Sequence, residues 1–325
     1  MEQKIRWGVM GCAGIVTKRF LPAMESVKNG VLCAVASRSA NNERYQRLRR
    51  EYPDVKFYDS YEGLLLDPDI DAVYLPAPNG LHHKYALQAL RAKKHVLCEK
   101  PLGCSVREEE EMFQTADENG VLLMEAFACL HSPLFSKVRR LIDEDAVGNV
   151  KVVNAFFSHH LNYQHRSNVA DKSLGGGALL DTGGYAVLSI RQITGKEPVS
   201  VKAMCKKTDG GVDAGAYALM DMGDVIGIAQ VSLEAVRRTG FTVHGDKGYL
   251  TYSQTTNAWG ELKINYVNAS GQREVTLHVD NPYTAEIEQF GRSILFGEPL
   301  GMSREESLNN IRAMEMIRES MEEQE

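Results

Sequence analysis

From residue 4 to 124, short apolar runs alternate with stretches of helical spacing. The runs are residues 4–10, 31–36, 71–75, 95–97 and 121–124. Between them apolar positions recur at helical intervals, as in Phe20, Leu21, Met24 and Val27, or Tyr85, Ala86, Leu87 and Leu90. Strands alternating with helices specify a doubly wound parallel sheet. Residues 106–119 read as an acidic-faced helix, and Ser132-Pro133 opens another that reaches the region of Glu144.

Beyond this point the pattern changes. Extended runs cover 150–157, 217–220, 226–233, 241–243, 249–252 and 263–267, with turn signals at Met222-Gly223-Asp224 and across 245–248. Such spacing predicts an antiparallel meander. Two helices close the chain, 283–296 and 303–322, and in the second Ser303 with Glu306 three residues on forms a capping box. The expected fold class is α/β: a doubly wound parallel sheet over 1–125, then an α+β domain over 126–325 with a broad, mostly antiparallel sheet. The C-terminal helix is free to pack back on the first domain.

Composition narrows the function classes. A chain of 325 residues can bury two cores. Its 43% apolar and 25% charged residues are ordinary for a soluble globular protein. The net charge of −6, with the signs interspersed, offers no surface for nucleic acid or an anionic membrane. No apolar run reaches the roughly 18 residues of a membrane helix, and the first residues lead straight into a strand, leaving no room for a signal peptide. Cys12, Cys33, Cys98, Cys104, Cys129 and Cys205 show no paired or metal-type spacing, so they read as reduced residues of a cytoplasmic protein.

Ligands of open α/β sheets bind at the carboxyl ends of the strands, and four segments there carry candidate chemistry. The first is Gly11-Cys12-Ala13-Gly14-Ile15, a small-residue turn between strand and helix. Gly11 suits a tight turn, Ala13 lets backbone approach a pyrophosphate, and the helix start offers N–H groups to phosphate. A glycine used only for close packing is the alternative. The second is Ser37-Arg38, where an acidic residue would bind the ribose 2′-hydroxyl of NAD. A guanidinium there favours the 2′-phosphate of NADP, unless it merely caps the next helix. The third is Pro76-Ala77-Pro78-Asn79, in which Asn79 can cap a helix that carries His82 and His83. Neighbouring histidines point different ways on a helix and no third ligand is spaced to match, so no metal is expected. The fourth is Cys98-Glu99-Lys100-Pro101, which ends a strand on an ionisable lysine; a Glu-Lys pair in a surface turn is the commoner fate of such a tripeptide.

One block lies in the second half. Residues 174–185 hold five glycines in ten positions, Gly175 to Gly184, which would wreck a plain surface helix at about 1 kcal/mol each. They point to tight packing. Asp181 and Tyr185, four apart, share a face and can form a proton-transfer pair, or else a core tyrosine satisfied by Asp181.

In order along nearly the whole chain, the Gly11 turn, Pro78-Asn79 with His82, Glu99-Lys100-Pro101, Glu125-Ala126-Phe127 and the Gly175–Tyr185 block resemble the glucose–fructose oxidoreductase / inositol dehydrogenase / rhizopine-catabolism (Gfo/Idh/MocA) family. The resemblance implies a Rossmann domain, then an α/β domain whose sheet often forms the oligomer interface, here a homodimer or homotetramer. It also implies reversible hydride transfer between a nicotinamide and a carbinol carbon of a sugar or cyclic polyol. Tyr185, where many members carry His, is similar to the branch of dihydrodiol dehydrogenase, NADP-dependent xylose dehydrogenases and glucose–fructose oxidoreductase. By that analogy Tyr185 is the acid/base on the substrate oxygen, Lys100 lowers its pKa and orients the substrate, and Asp181 partners the substrate or Lys100. Cofactor contacts then fall on Gly11 to Ile15, Ser37, Arg38, Pro76, Asn79, His82, Glu99 and Lys100, and substrate contacts on Lys100, Phe127, His160, Asn168, Asp181 and Tyr185. Val169 stands where that branch often has Arg; His159, His165 and Arg166 are further pocket candidates or solvated loop residues.

Three rival readings fare worse. The one match to the Tyr-x-x-x-Lys of short-chain dehydrogenases, Tyr52 to Lys56, is early and contains Pro53, which breaks a helix. A sugar-nucleotide enzyme would want an extra basic pocket, which Val169 does not support. A silent NADP-binding sensor shares the fold but needs neither Lys100 nor Tyr185.

Overall fold

A computed structural model of the chain describes residues 3–163 and 167–323. His165 and Arg166 lie outside the described residues. The chain divides into two units, Met1–His131 with Tyr283–Ser307, and Ser132–Pro282 with Leu308–Glu325. The second segment of the first unit holds most of the helix Pro282–Phe296, which follows the sheet-rich stretch in sequence. No helix among the described residues is long and apolar enough to cross a membrane.

The first unit is built on six parallel strands: β1 (Ile5–Met10), β2 (Gly30–Ala36), β3 (Lys56–Tyr58), β4 (Ala72–Leu75), β5 (His95–Glu99) and β6 (Leu123–Ala126). Their order is β3-β2-β1-β4-β5-β6, so the winding reverses between β1 and β4. The central strands are apolar because helices cover both faces of such a sheet; Trp7, Val9, Val73, Val96 and Leu97 have no exposed surface. Three residues long and half-exposed, β3 sits at the sheet edge and left no apolar run to read. Ser105 caps the helix Val106–Asn119 by accepting from the Glu108 N–H at 3.2 Å, and Gly120, at φ 66°, ends it. Phe290 of Pro282–Phe296 packs with Trp7, ring centroids 5.9 Å apart, and the Lys28 N–H donates to the Glu288 carboxylate at 2.9 Å.

The second unit carries eight strands: β7 (Val150–Ser158), β8 (Ser200–Lys207), β9 (Asp213–Asp221), β10 (Ile226–Ser232), β11 (Arg238–Gly245), β12 (Gly248–Tyr252), β13 (Gly260–Asn268) and β14 (Gly271–Val279). Their order is β14-β13-β12-β11-β7-β10-β9-β8. The expected simple meander is therefore corrected: β7 enters between β10 and β11 and runs parallel to β10, all other pairs being antiparallel. Burial accounts for this, since Val153, Ala155, Phe156 and Phe157 make β7 a buried strand suited to the middle of the sheet. The helix Gly184–Thr194 packs on β7 and β10 through a buried face that includes Val187, Ile190 and Ile193. Ser303 accepts from the Glu306 N–H at 3.2 Å at the start of the last helix, Arg304–Glu322.

Candidate functional site

The candidate residues fall into two groups, one in each unit. In the first unit they gather along the carboxyl edge of the parallel sheet. Gly11 follows β1 at φ 136°, and a Cβ there would lie 3.1 Å from the Tyr61 hydroxyl and 3.8 Å from the Pro76 ring. Backbone angle and close approach both demand glycine. Cys12 is buried, and burial pushes its thiol up to about 11 despite the opposing charge of Arg44. Ala13, Gly14 and Ile15 are half-buried where the next helix begins, and a Cβ on Gly14 would meet nothing within 4 Å. An open cradle at a helix N-terminus beside the winding reversal fits a dinucleotide pyrophosphate.

The end of β2 supplies a second element. Ser37 is buried and its hydroxyl is spent locally, donating to the Ser39 carbonyl at 2.9 Å and accepting from the Ser39 N–H at 3.2 Å. The exposed residue is Arg38. Its guanidinium donates to the Tyr85 hydroxyl at 3.3 Å and lies over that ring, 5.6 Å from the centroid. Tyr61 meets Tyr85 edge-to-face at 4.8 Å. Tyr61 and Tyr85 were not among the candidates, because in sequence Tyr85 is one apolar position of a helix and nothing ties it to Arg38. Held this way, Arg38 presents a fixed fork suited to a phosphate on the ribose.

Two of the expected cofactor contacts sit differently from what the sequence suggests. Asn79 does not cap its helix: Asn79–Arg91 has Pro78 at the N-cap with no side-chain cap bond, and Asn79 is the first helical residue. His82 has no exposed surface; its Nδ1 lies 2.7 Å from the Pro101 carbonyl and its Nε2 2.7 Å from the Ala77 carbonyl. The ring bridges the loops after β4 and β5 and offers nothing to a ligand. Burial, with the Lys100 charge added, draws its pKa down to about 4 against the two carbonyls.

Glu99 and Lys100 are half-buried at the end of β5. The Tyr74 hydroxyl donates to Glu99 at 2.5 Å. Burial raises the Glu99 carboxyl, opposed by that hydrogen bond and by Lys100. Glu125 is buried in β6 and accepts the Leu102 N–H at 3.0 Å, tying the segment after Lys100 to the next strand. Phe127, expected to touch substrate, is 1% exposed, so its ring belongs to the packed interior.

In the second unit the glycine block proves to be a helix entrance. Gly177 sits at φ 109° directly against the Asp213 carboxylate, where any Cβ would collide. Asp213, the first residue of β9, accepts the Leu179 N–H at 2.7 Å, so a carboxylate closes the start of the helical segment bearing Asp181 and Tyr185. Burial raises Asp213 to about 6, against the backbone N–H groups that favour its charge. Asp213 was missed because its partner lies 34 residues away.

Asp181 is buried at 9% exposure, in the π-turn Leu179–Gly183; Tyr185, one turn later in Gly184–Thr194, is half-buried. The Tyr185 ring stacks on Phe157 of β7, centroids 5.7 Å apart and planes at 22°. Its phenolic oxygen accepts a hydrogen bond of 2.9 Å from the Asn257 amide, in the loop between β12 and β13. Asn257 too was missed, 72 residues away in a polar loop. His160 is exposed after β7 with Nδ1 3.2 Å from the Glu234 carbonyl, and Asn168 is half-buried in Ser167–Ala170 beside buried Val169. Among the described residues no three His, Cys, Asp or Glu side chains are grouped to hold a metal.

Residues 5–127 match the family described as "Oxidoreductase family, NAD-binding Rossmann fold" and residues 135–251 its C-terminal domain. The chain belongs to the Gfo/Idh/MocA family of oxidoreductases. It is 33% identical to a D-xylose 1-dehydrogenase (NADP(+)) of Haloferax volcanii, covering 97% of both chains. It is 32% identical to a dTDP-3,4-didehydro-2,6-dideoxy-alpha-D-glucose 3-reductase of Actinomadura kijaniata, covering 97% of this chain and 95% of the other. Among solved structures, a 3-ketoreductase from Actinomadura kijaniata in complex with NADP and TDP-benzene superposes with TM-score 0.93 at 29% identity, over 98% of each chain.

Proposed function

We propose that the protein transfers a hydride between a nicotinamide dinucleotide, NADP in preference to NAD, and the carbinol or carbonyl carbon of a sugar, polyol or diol. Tyr185 is the acid/base on the reacting oxygen, Lys100 supplies positive charge that favours the phenolate, and Asp181 is a partner of the substrate or of Lys100. The observation that carries the reading is the phenol of Tyr185. It is half-exposed on a glycine-loosened helix, its ring is held by Phe157, and its oxygen is met by an amide donor.

When bound, the nicotinamide supplies or accepts the hydride. In oxidation the Tyr185 phenolate takes the proton of the substrate hydroxyl; in reduction the phenol returns it to the carbonyl oxygen. The NADP preference rests on the fixed guanidinium of Arg38 and on relatives named or crystallised with NADP. Support for the two catalytic side chains also comes from the Actinomadura reductase, for which variants with a tyrosine changed to phenylalanine and a lysine changed to alanine were crystallised with NADP. We place the homo-oligomer contact on the eight-stranded sheet, where Met204, Tyr217, Leu219 and Tyr249 are exposed by 62%, 45%, 54% and 42%.

The test is a fluorescence titration with NADPH and NADH, followed by turnover on aldoses, inositols, keto-sugars, vicinal diols and a dTDP-linked sugar. NADPH binds more tightly and one panel class turns over. Lys100→Met and Tyr185→Phe each abolish turnover while NADPH affinity stays within a few-fold. Either variant retaining wild-type rates removes the assigned roles, and tight NADPH binding without turnover on every class favours a sensor.

A further inference from the structure

The phenol of Tyr185 is engaged on its oxygen by a donor that no motif predicts. The loop that carries Asn257 spans β12 to β13 and is braced from within. The Tyr252 hydroxyl donates to the Thr255 carbonyl at 2.9 Å, the Ala258 N–H donates to the same carbonyl at 3.0 Å, and Thr256 has no exposed surface. At the far end the Lys263 N–H donates to the Gln254 side chain at 3.2 Å. A loop fastened at both ends and buried in its middle holds the Asn257 amide in one place. On the other side of the phenol, the ring stacked on Phe157 fixes the phenol plane.

An amide N–H can only donate. With Asn257 Nδ2 at 2.9 Å, the Tyr185 oxygen is the acceptor, and one of its lone pairs is occupied. The hydroxyl proton then points away from Asn257. Once that proton has left, the same N–H faces a phenolate, and a hydrogen bond to an ionised acceptor is roughly twice as strong as one to a neutral acceptor. The donor therefore stabilises the deprotonated form more than the protonated one, as any group favouring the charged state of an acid does.

We infer that Asn257 is a positioning residue for proton transfer: it orients the Tyr185 hydroxyl and stabilises the phenolate left behind. This rests on the reading of Tyr185 as the acid/base. The two are separable, because the effect on the phenol is measurable without substrate.

The experiment labels tyrosine ring Cζ with carbon-13 and follows the pH titration by NMR in full-length wild type, with Tyr185→Phe assigning the signal. Two variants of similar shape are compared. Asn257→Leu removes the donor, and Asn257→Asp replaces it with a carboxylate that can only accept and that repels a phenolate. The Tyr185 titration moves to higher pH in Asn257→Leu and further in Asn257→Asp. With the substrate identified by the panel above, kcat at neutral pH falls about tenfold or more while KM changes little, and the limb of the kcat–pH profile moves with the NMR midpoint. Asn257→Ser, which keeps a small donor, recovers part of both effects and covers the case in which the other variants fold poorly. Unchanged midpoints in Leu, Asp and Ser variants overturn the inference, whatever the activity. Shifted midpoints with a fully active Tyr185→Phe instead overturn the acid/base reading, and with it any catalytic part for Asn257.

Discussion

In the proposed reading, cofactor choice turns on Arg38. Its guanidinium is already ordered by the Tyr85 hydroxyl and ring, so less freedom remains to be lost when a phosphate arrives. Arg38→Ala should weaken NADPH binding ten- to a hundredfold, about 1.4–2.8 kcal/mol, and leave NADH binding within about threefold. Equal losses for both cofactors in a binding titration would show that Arg38 does not read the 2′-phosphate. Residue types at Arg38, Lys100 and Tyr185 were legible because each is chemically conspicuous at a strand end or in a helix. His82 and Phe127 were equally conspicuous but are buried, and burial is a property of the packed chain that a motif does not carry.

At the scale of the element, the helical segment bearing Asp181 and Tyr185 depends on a carboxylate from another strand. Asp213 occupies the space a side chain at Gly177 would need, and Gly177 also holds a left-handed φ of 109°. Gly177→Ala must move Asp213 and adopt a backbone conformation costly for any L side chain. We expect a loss of about 2–5 kcal/mol, from roughly 1–2 for the dihedral and 1–3 for the overlap. Chemical denaturation measures this, and a loss under about 0.5 kcal/mol, the range of neutral surface changes, would mean that the entrance relaxes freely. The density of glycines disclosed in advance that something packs closely there. That the something is Asp213 could not be read.

For the whole molecule, the pH dependence of stability follows from groups whose protonation changes on unfolding. His131 is pulled down to about 4, by burial first and then by the nearby Arg292, and its Nε2 is buried without a hydrogen-bond partner. In the unfolded chain it titrates near 6.5, so the folded form binds fewer protons between pH 4 and 6.5. The stability it contributes is complete above pH 6.5 and is lost as the pH falls toward 4; His82 acts in the same direction. Asp213 acts oppositely. Raised to about 6 from 3.8, it adds stability at low pH that is lost as the pH rises through 6. His131→Asn isolates one contribution: of the stability wild type loses from His131 between pH 7 and pH 5, about 2 kcal/mol should be absent in the variant. Urea midpoints at the two pH values measure it, and equal slopes would contradict a buried neutral ring.

The alternation of apolar runs with helical spacing determined the parallel sheet on its own, since strands covered on both faces must be apolar throughout. It also determined the change to a sheet-rich second half. Gly11, Lys100 and Tyr185 stood out because backbone angle and side-chain chemistry are local. The tertiary structure alone decided that β7 enters the middle of the second sheet, because pairing depends on which strand loses most water on both faces. It alone decided that Tyr85 steadies Arg38, that Asp213 closes the helix of Tyr185, and that Asn257 meets the phenol. Each is a contact between residues 34 to 72 positions apart, and hydrogen-bond geometry over such a separation is set by the folded backbone, not by neighbours along the chain.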